Sequence, residues 1–303
     1  MNYFDTHCDT VSEACRRGDP LDDPPLLARL GNFPGMEKRA QCFALFIEDE
    51  DPDPWQTYRR YVGCYKDAAA ALPDSMRMCR EKDDALAAWQ AGQCAALLTV
   101  ENARALGGDI RRTGALAQDG VKAMSLTWNA ENEFACGASA DGPLKPLGRE
   151  LLDAMDRCGI APDVSHLCGA SLADLLRRFD GRVLATHSNL RAVCDHPRNL
   201  TEDCFREIAA RGGVAGLNFY APFVRADGAP RLDDLLRHAD RMLRFGGERS
   251  VCIGADFDGG GSLPFCRDVA DIPALYAEFL PRFGTRVTDG IFFDNALHFF
   301  FGE

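Results

Sequence analysis

No stretch of this 303-residue chain stays apolar for the roughly 20 residues that a bilayer-spanning helix needs. An integral membrane protein is therefore not expected. Strand-like sequence starts at Asn2 and leaves no room for the charged and apolar regions of a secretion signal, so the cytoplasm is the expected location. Basic residues are outnumbered, 34 against 46 acidic ones, for a formal net charge of −12. With no Lys/Arg cluster interleaved with aromatics, the electrostatic footprint of a nucleic-acid binder is missing. None of the 13 cysteines has CxxC spacing, and their number is odd. They read as mostly buried thiols in a reducing compartment, not as a disulfide framework or a zinc ribbon. No internal repeat, linker or low-complexity segment is found. Histidine is also scarce, with six in the whole chain, which makes the placement of each one informative.

What is present is organised around residues 160–198. Two short apolar runs, 160–164 and 183–185, each lead into a hydroxyl residue and a histidine, Ser165-His166 and Thr186-His187. Between them, Leu172, Leu175, Leu176 and Phe179 recur at helical spacing opposite Asp174, Arg177 and Arg178. Strand, crossover helix and strand imply parallel neighbours, with both histidines at the carboxyl ends where parallel α/β folds build their sites. Buried strand patterns also occur at 3–9, 41–47, 94–100, 121–127, 213–219 and 251–256. Helical patterns fall between them, at 55–90 with a division near Pro73, at 147–157, at 201–211 with Thr201 as cap, and at 232–245. Eight such units predict a single (β/α)8 TIM barrel catalytic domain over residues 1–303, with a C-terminal helical extension. Long loops at 16–38 and 128–146 are candidate site material. The Phe-rich pattern at 291–301 predicts a cap on the barrel or a subunit interface, and a homodimer through that tail is one expectation.

The polar residues at predicted strand ends are few: His7 and Asp9, Glu101, His166, His187 and Asp256. Alternation puts His7 and Asp9 on one face of the first strand. Three imidazoles and three carboxylates converging on one barrel mouth require neutralisation, and imidazole with carboxylate suits Zn²⁺. Six groups exceed the needs of one tetrahedral ion. The expectation is two Zn²⁺ per chain, one on His7 and Asp9, the other on His166 and His187, with Glu101 bridging. Asp256 remains as a proton carrier. Arg198 can hold a substrate carboxylate bidentately or can pair with Asp195 or Glu202 at the surface. His238 is expected to be solvated, His298 packed among phenylalanines, and His196 solvent-exposed.

Several blocks resemble the membrane (renal) dipeptidase family of binuclear zinc peptidases, a soluble bacterial-type member among the amidohydrolase-like barrels. They are DTHCDT from Asp5, TVEN from Thr99, GVKAMSLTWN from Gly120, PLGRELLDAMDRCGIAPDVSH from Pro146, THSNLRAVCDHPRNL from Thr186, GGVAGLNFY from Gly212 and GADFDG from Gly254. They run in family order over nearly the whole chain. The resemblance implies two zinc ions on His7, Asp9, Glu101, His166 and His187, substrate-carboxylate binding by Arg198, and proton shuttling by Asp256, with Asp258 the second candidate. One departure is visible: Trp128 stands where several members have a histidine that contacts the substrate, and Asn129 beside it is a substitute donor. The implied activity is dipeptide hydrolysis, L,L and L,D, by a metal-bridging hydroxide. The alternative is an amidohydrolase-type hydrolase of an amide, lactam or N-acyl amino acid. A non-catalytic barrel retained for binding is the rival of a different class. The expected partner is a small dipeptide, not nucleic acid or a membrane.

Overall fold

The computed structural model describes residues 1–302. Its strands are β1 (Asn2–Cys8), β2 (Lys38–Phe46), β3 (Met76–Met78), β4 (Cys94–Glu101), β5 (Val121–Ser125), β6 (Ala161–Asp163), β7 (Leu184–Ala185), β8 (Val214–Leu217) and β9 (Val251–Ile253). All eight predicted strands are present, and they close a parallel barrel in the order β1-β2-β4-β5-β6-β7-β8-β9, with β9 pairing back onto β1. The fold is a (β/α)8 TIM barrel. β3 is an addition that the sequence did not announce. It pairs only with the first residues of β4 and separates the helices Pro54–Ala71 and Lys82–Gln90. A second unexpected element is the helix Thr10–Arg17, which starts directly after Asp9.

Strand alternation divides the apolar residues between two cores. Phe4, Cys42, Leu97, Leu184, Val214 and Cys252 point into the barrel, while Tyr3, Phe43, Leu98 and Met124 face the surrounding helices. The barrel's interior narrows toward the site. At Gly254 an added Cβ would lie 1.8 Å from the Thr186 carbonyl oxygen, so only glycine admits this approach between strands. The Phe-rich tail closes the opposite, amino-terminal end, where Phe293, Ala296 and Phe299 join the interior core and Phe300 stacks 5.5 Å from Phe4. Burial of these rings at the barrel base gives the tail its cap function.

One cysteine pair departs from the expectation of free thiols. Cys15 and Cys64 form a disulfide between the helices Thr10–Arg17 and Pro54–Ala71, with Cα atoms 6.0 Å apart. Their separation of 49 residues carries no spacing signal, and helix packing alone brings them together. The other eleven cysteines are free, and nine of them are buried.

Candidate metal centre and active site

A shared strand direction brings the predicted residues to one mouth. In β1 the pairing register with β2 shifts between Asp5 and Cys8. Sequence neighbours Thr6 and His7 therefore both reach the interior: Thr6 Oγ1 donates to the Thr186 carbonyl at 2.6 Å, while His7 Nε2 faces Glu101. Glu101 ends β4, and its two carboxylate oxygens serve different neighbours. Oε2 lies 3.5 Å from His7 Nε2, whereas Oε1 lies 2.7 Å from His166 Nε2 and 3.7 Å from His187 Nε2. Asp9 Oδ2 is 3.5 Å and Asp256 Oδ1 3.8 Å from His7 Nε2. His166 and His187 place their Nε2 atoms 2.9 Å apart.

The far nitrogen of each ring is held by an oxygen. Asn129 Oδ1 lies 3.0 Å from His166 Nδ1, and Thr186 Oγ1 lies 2.8 Å from His187 Nδ1 and 3.4 Å from His7 Nδ1. The Asn129 amide oxygen can only accept, so His166 Nδ1 carries its proton outward, and the Nε2 atoms of all three rings are turned toward Glu101. His7 Nε2 and Asp9 Oδ1 are buried and make no hydrogen bond. Burial pushes the Glu101 carboxyl up, and the neighbouring Asp9 charge pushes it further. Burial also raises Asp256, against the opposing charge of His7. His166 and His187 are pulled down by burial and by nearby positive charge, so both favour the neutral, ligating form. For His7, burial acts downward, but the negative charges of Glu101 and Asp9 beside it outweigh burial and raise it. Buried lone pairs and carboxylates arranged this way lack a counter-charge, and divalent ions supply it. The donor set of three imidazoles, Asp9 and a Glu101 carboxylate with one oxygen on each side fits a two-ion centre.

Backbone strain gathers at the same place. Among the described residues, the non-glycine residues with positive φ are Asn102, His166, Asp256 and Asp258. Each follows a barrel strand at its carboxyl end, and such conformations persist where the surrounding structure enforces them. The two aspartates of the DFD triplet have separate duties. Asp256 accepts from Asn218 Nδ2 at 3.0 Å through Oδ2, leaving Oδ1 toward His7. Asp258 is occupied by Thr10 Oγ1 at 2.5 Å, Leu27 N at 2.7 Å and Ala28 N at 3.2 Å. It ties the 18–37 loop to the mouth. At Gly259 an added Cβ would fall 2.0 Å from Asp9 Oδ2, so the chain passes the metal-facing carboxylate only as glycine.

Above this floor lies a cavity of about 360 Å³ with aromatic walls, Phe46 and Trp128 together with Tyr220 and Phe223. Trp128 meets Phe46 edge-on at 5.1 Å, and its ring is 6.3 Å from His166. Asn129 lines the cavity and also holds His166, so its carbonyl oxygen is committed to the histidine. Arg198 is buried and forms no ion pair with Asp195 or Glu202. Its guanidinium lies 5.4 Å over Phe223, its Nε has no partner, and its two contacts, to Ser188 Oγ and the His187 carbonyl, are both 3.5 Å long. Burial pulls Arg198 down to about 10, while Asp256, Glu101 and Asp163 act to keep it charged.

The other histidines correct their expectations. His238 is fully buried, accepting from Leu190 N at 3.2 Å and donating to the Val224 carbonyl at 3.1 Å. Arg237 and Arg241 in the helix Leu232–Gly246 are exposed, whereas Asp234, one turn before His238, is buried with it. His298 is exposed on the tail, and His196 is half-buried against Phe223. Asn218, Tyr220 and Phe223 were not foreseen. Asn218 follows β8 directly, so its strand-end position was a usable signal, whereas the two aromatics carried none.

A family model described as Membrane dipeptidase (Peptidase family M19) matches residues 2–300. An uncharacterized protein encoded in the pqqA 5′ region of Klebsiella pneumoniae is 30% identical over 235 residues, covering 74% of this chain and 87% of its own. Two solved structures share the fold at lower identity. A metallo peptidase from Rhodobacter sphaeroides, liganded with a phosphinate mimic of the dipeptide L-Ala-D-Ala, superposes with a TM-score of 0.88 at 23% identity, covering 98% of this chain and 97% of that one. The dipeptidase AC superposes with a TM-score of 0.89 at 24% identity, covering 100% and 99%.

Proposed function

The chain belongs to the membrane dipeptidase family, and from that premise we propose that it hydrolyses dipeptides, L,L and L,D, at a centre holding two divalent ions, zinc in the resting enzyme. The split of Glu101, one carboxylate oxygen toward His7 and the other toward His166 and His187, carries this reading. His7 and Asp9 would hold one ion, His166 and His187 the other, and Glu101 both. Bound there, the ions supply Lewis acidity toward a carbonyl and lower the pKa of water toward neutrality.

The chain's own residues do the rest. Asp256, fixed through one oxygen by Asn218, presents the other to the mouth. It accepts a proton from the attacking water and delivers it to the leaving amine, so that water adds across the broken C–N bond. Arg198 has donors that no protein group fills, and it holds the C-terminal carboxylate of the substrate. Trp128 and Phe46 offer an apolar wall and exclude water from the reacting bond. A phosphinate dipeptide mimic bound to the Rhodobacter sphaeroides protein supports the L,D part of the reading. Eleven of the thirteen cysteines are free thiols, which supports the cytoplasm as its compartment against the single Cys15–Cys64 disulfide.

The test is a panel of L,L and L,D dipeptides beside N-acyl amino acids, run on the wild-type protein and on Arg198→Met. Dipeptides should be cleaved by the wild type, and KM for them should rise in Arg198→Met by about tenfold or more, as loss of a charged partner implies, with metal content unchanged. Cleavage restricted to N-acyl amino acids would move the activity to the broader amidohydrolase class. Unchanged dipeptide KM would remove Arg198 from the substrate site.

A further inference from the structure

The hydroxyl of Thr186 touches histidines on both sides of the centre. It lies 2.5 Å from Asp163 Oδ2, 2.8 Å from His187 Nδ1 and 3.4 Å from His7 Nδ1, with Ser165 Oγ also at 3.4 Å. A hydroxyl has one proton to donate and two lone pairs to accept with. The proton goes to Asp163, whose Oδ2 accepts from the hydroxyl at 2.5 Å, the shortest contact that the hydroxyl makes. Asp163 is itself locked in place. Its Oδ1 receives the backbone N–H of Ser165 at 2.9 Å and of Thr186 at 3.0 Å, which joins β6 to β7. With its proton spent, Thr186 Oγ1 can only accept, from the His187 and His7 rings and from the Ser165 hydroxyl. His187 and His7 are therefore both fixed as Nδ1–H tautomers with their Nε2 lone pairs inward.

We propose that Thr186, anchored by Asp163, is the positioning residue that couples the two halves of the metal centre, setting tautomer and ring orientation of His187 and His7 through a single hydroxyl. The inference deepens the metal-centre reading above. It also separates the histidines by their supports: His166 depends on Asn129, while the other two depend on one side chain. Loss of that side chain's hydroxyl should weaken both ions together. Thr186 is buried, at 1% exposure, so its role is exerted through the histidines.

The experiment measures zinc affinity of the metal-stripped full-length protein by competition with a chromogenic chelator, for wild type, Thr186→Val and Thr186→Ser. Valine keeps the shape and removes the hydroxyl, whereas serine keeps the hydroxyl. Thr186→Val should lose about ten- to a hundredfold in affinity for both ions, and Thr186→Ser should restore wild-type binding. Should the valine variant not fold, Thr186→Ala removes the same hydroxyl without crowding and carries the same expectation. Wild-type affinity in the variant lacking the hydroxyl, or weakening of only one ion, would overturn the proposal. So would failure of serine to rescue. Because no substrate is used, the result is independent of whether the chain cleaves dipeptides.

Discussion

At the scale of single residues, chemistry was legible wherever a scarce, charged side chain met a strand end. His7, Asp9, Glu101, His166, His187 and Asp256 all arrive at one mouth, as their residue types and positions implied. Thr186 stood out only as the residue before His187, and neither its role nor that of Asn218 was readable, because hydroxyls and amides are common and Asp163, His7 and Asp256 lie far away in sequence. His238 escaped for another reason: its helix buries the face it shares with Leu235 and Met242, and that face was masked by neighbouring charges. Its burial has a measurable consequence. Burial pulls His238 from 6.5 to about 4. The unfolded chain then binds more protons than the native one between those values, so stability is full above about pH 6.5 and falls as pH drops toward 4. The loss from this group is about 3 kcal/mol. Urea unfolding from pH 7 to 4.5 should show a shallower acid loss in His238→Gln than in the wild type. Equal pH slopes would show that this histidine is not the titrating group.

Secondary-structure elements were read well where burial is continuous and poorly where it is local. The barrel strands have apolar runs that periodicity detects, but β3 has three residues, two of them exposed, and offers no pattern. The helix Thr10–Arg17 was hidden by the strand signal that precedes it, although it ends at Gly18 in the left-handed conformation. The 18–37 loop has no regular structure of its own, and Asp258 holds it at two backbone N–H groups. Asp258→Ala should cost about 2 to 3 kcal/mol, since it leaves those groups and Thr10 without their charged partner. Limited proteolysis should cut the variant within residues 18–37 faster than the wild type. Unchanged stability and cleavage would show that the loop is held by other contacts.

For the molecule as a whole, the two ends of the barrel have opposite characters. Phenylalanines of the C-terminal helix fill the base, and buried acids and imidazoles fill the mouth. The base stabilises the fold by apolar burial alone, whereas the mouth concentrates like charges that weaken it unless cations are present. That asymmetry was readable in outline, from the Phe-rich tail and the strand-end histidines. The disulfide between Cys15 and Cys64 was not, because it depends on helix packing and not on spacing. The central claim is that this mouth is a two-ion hydrolytic centre joined by Glu101. Its most direct test is elemental analysis of the purified protein beside Glu101→Gln, with dipeptide cleavage measured on the same samples. The account predicts near two divalent ions per wild-type chain, and fewer than one with cleavage abolished when the bridging carboxylate becomes an amide. Less than one ion in an active wild type, or both ions retained in Glu101→Gln, would contradict it.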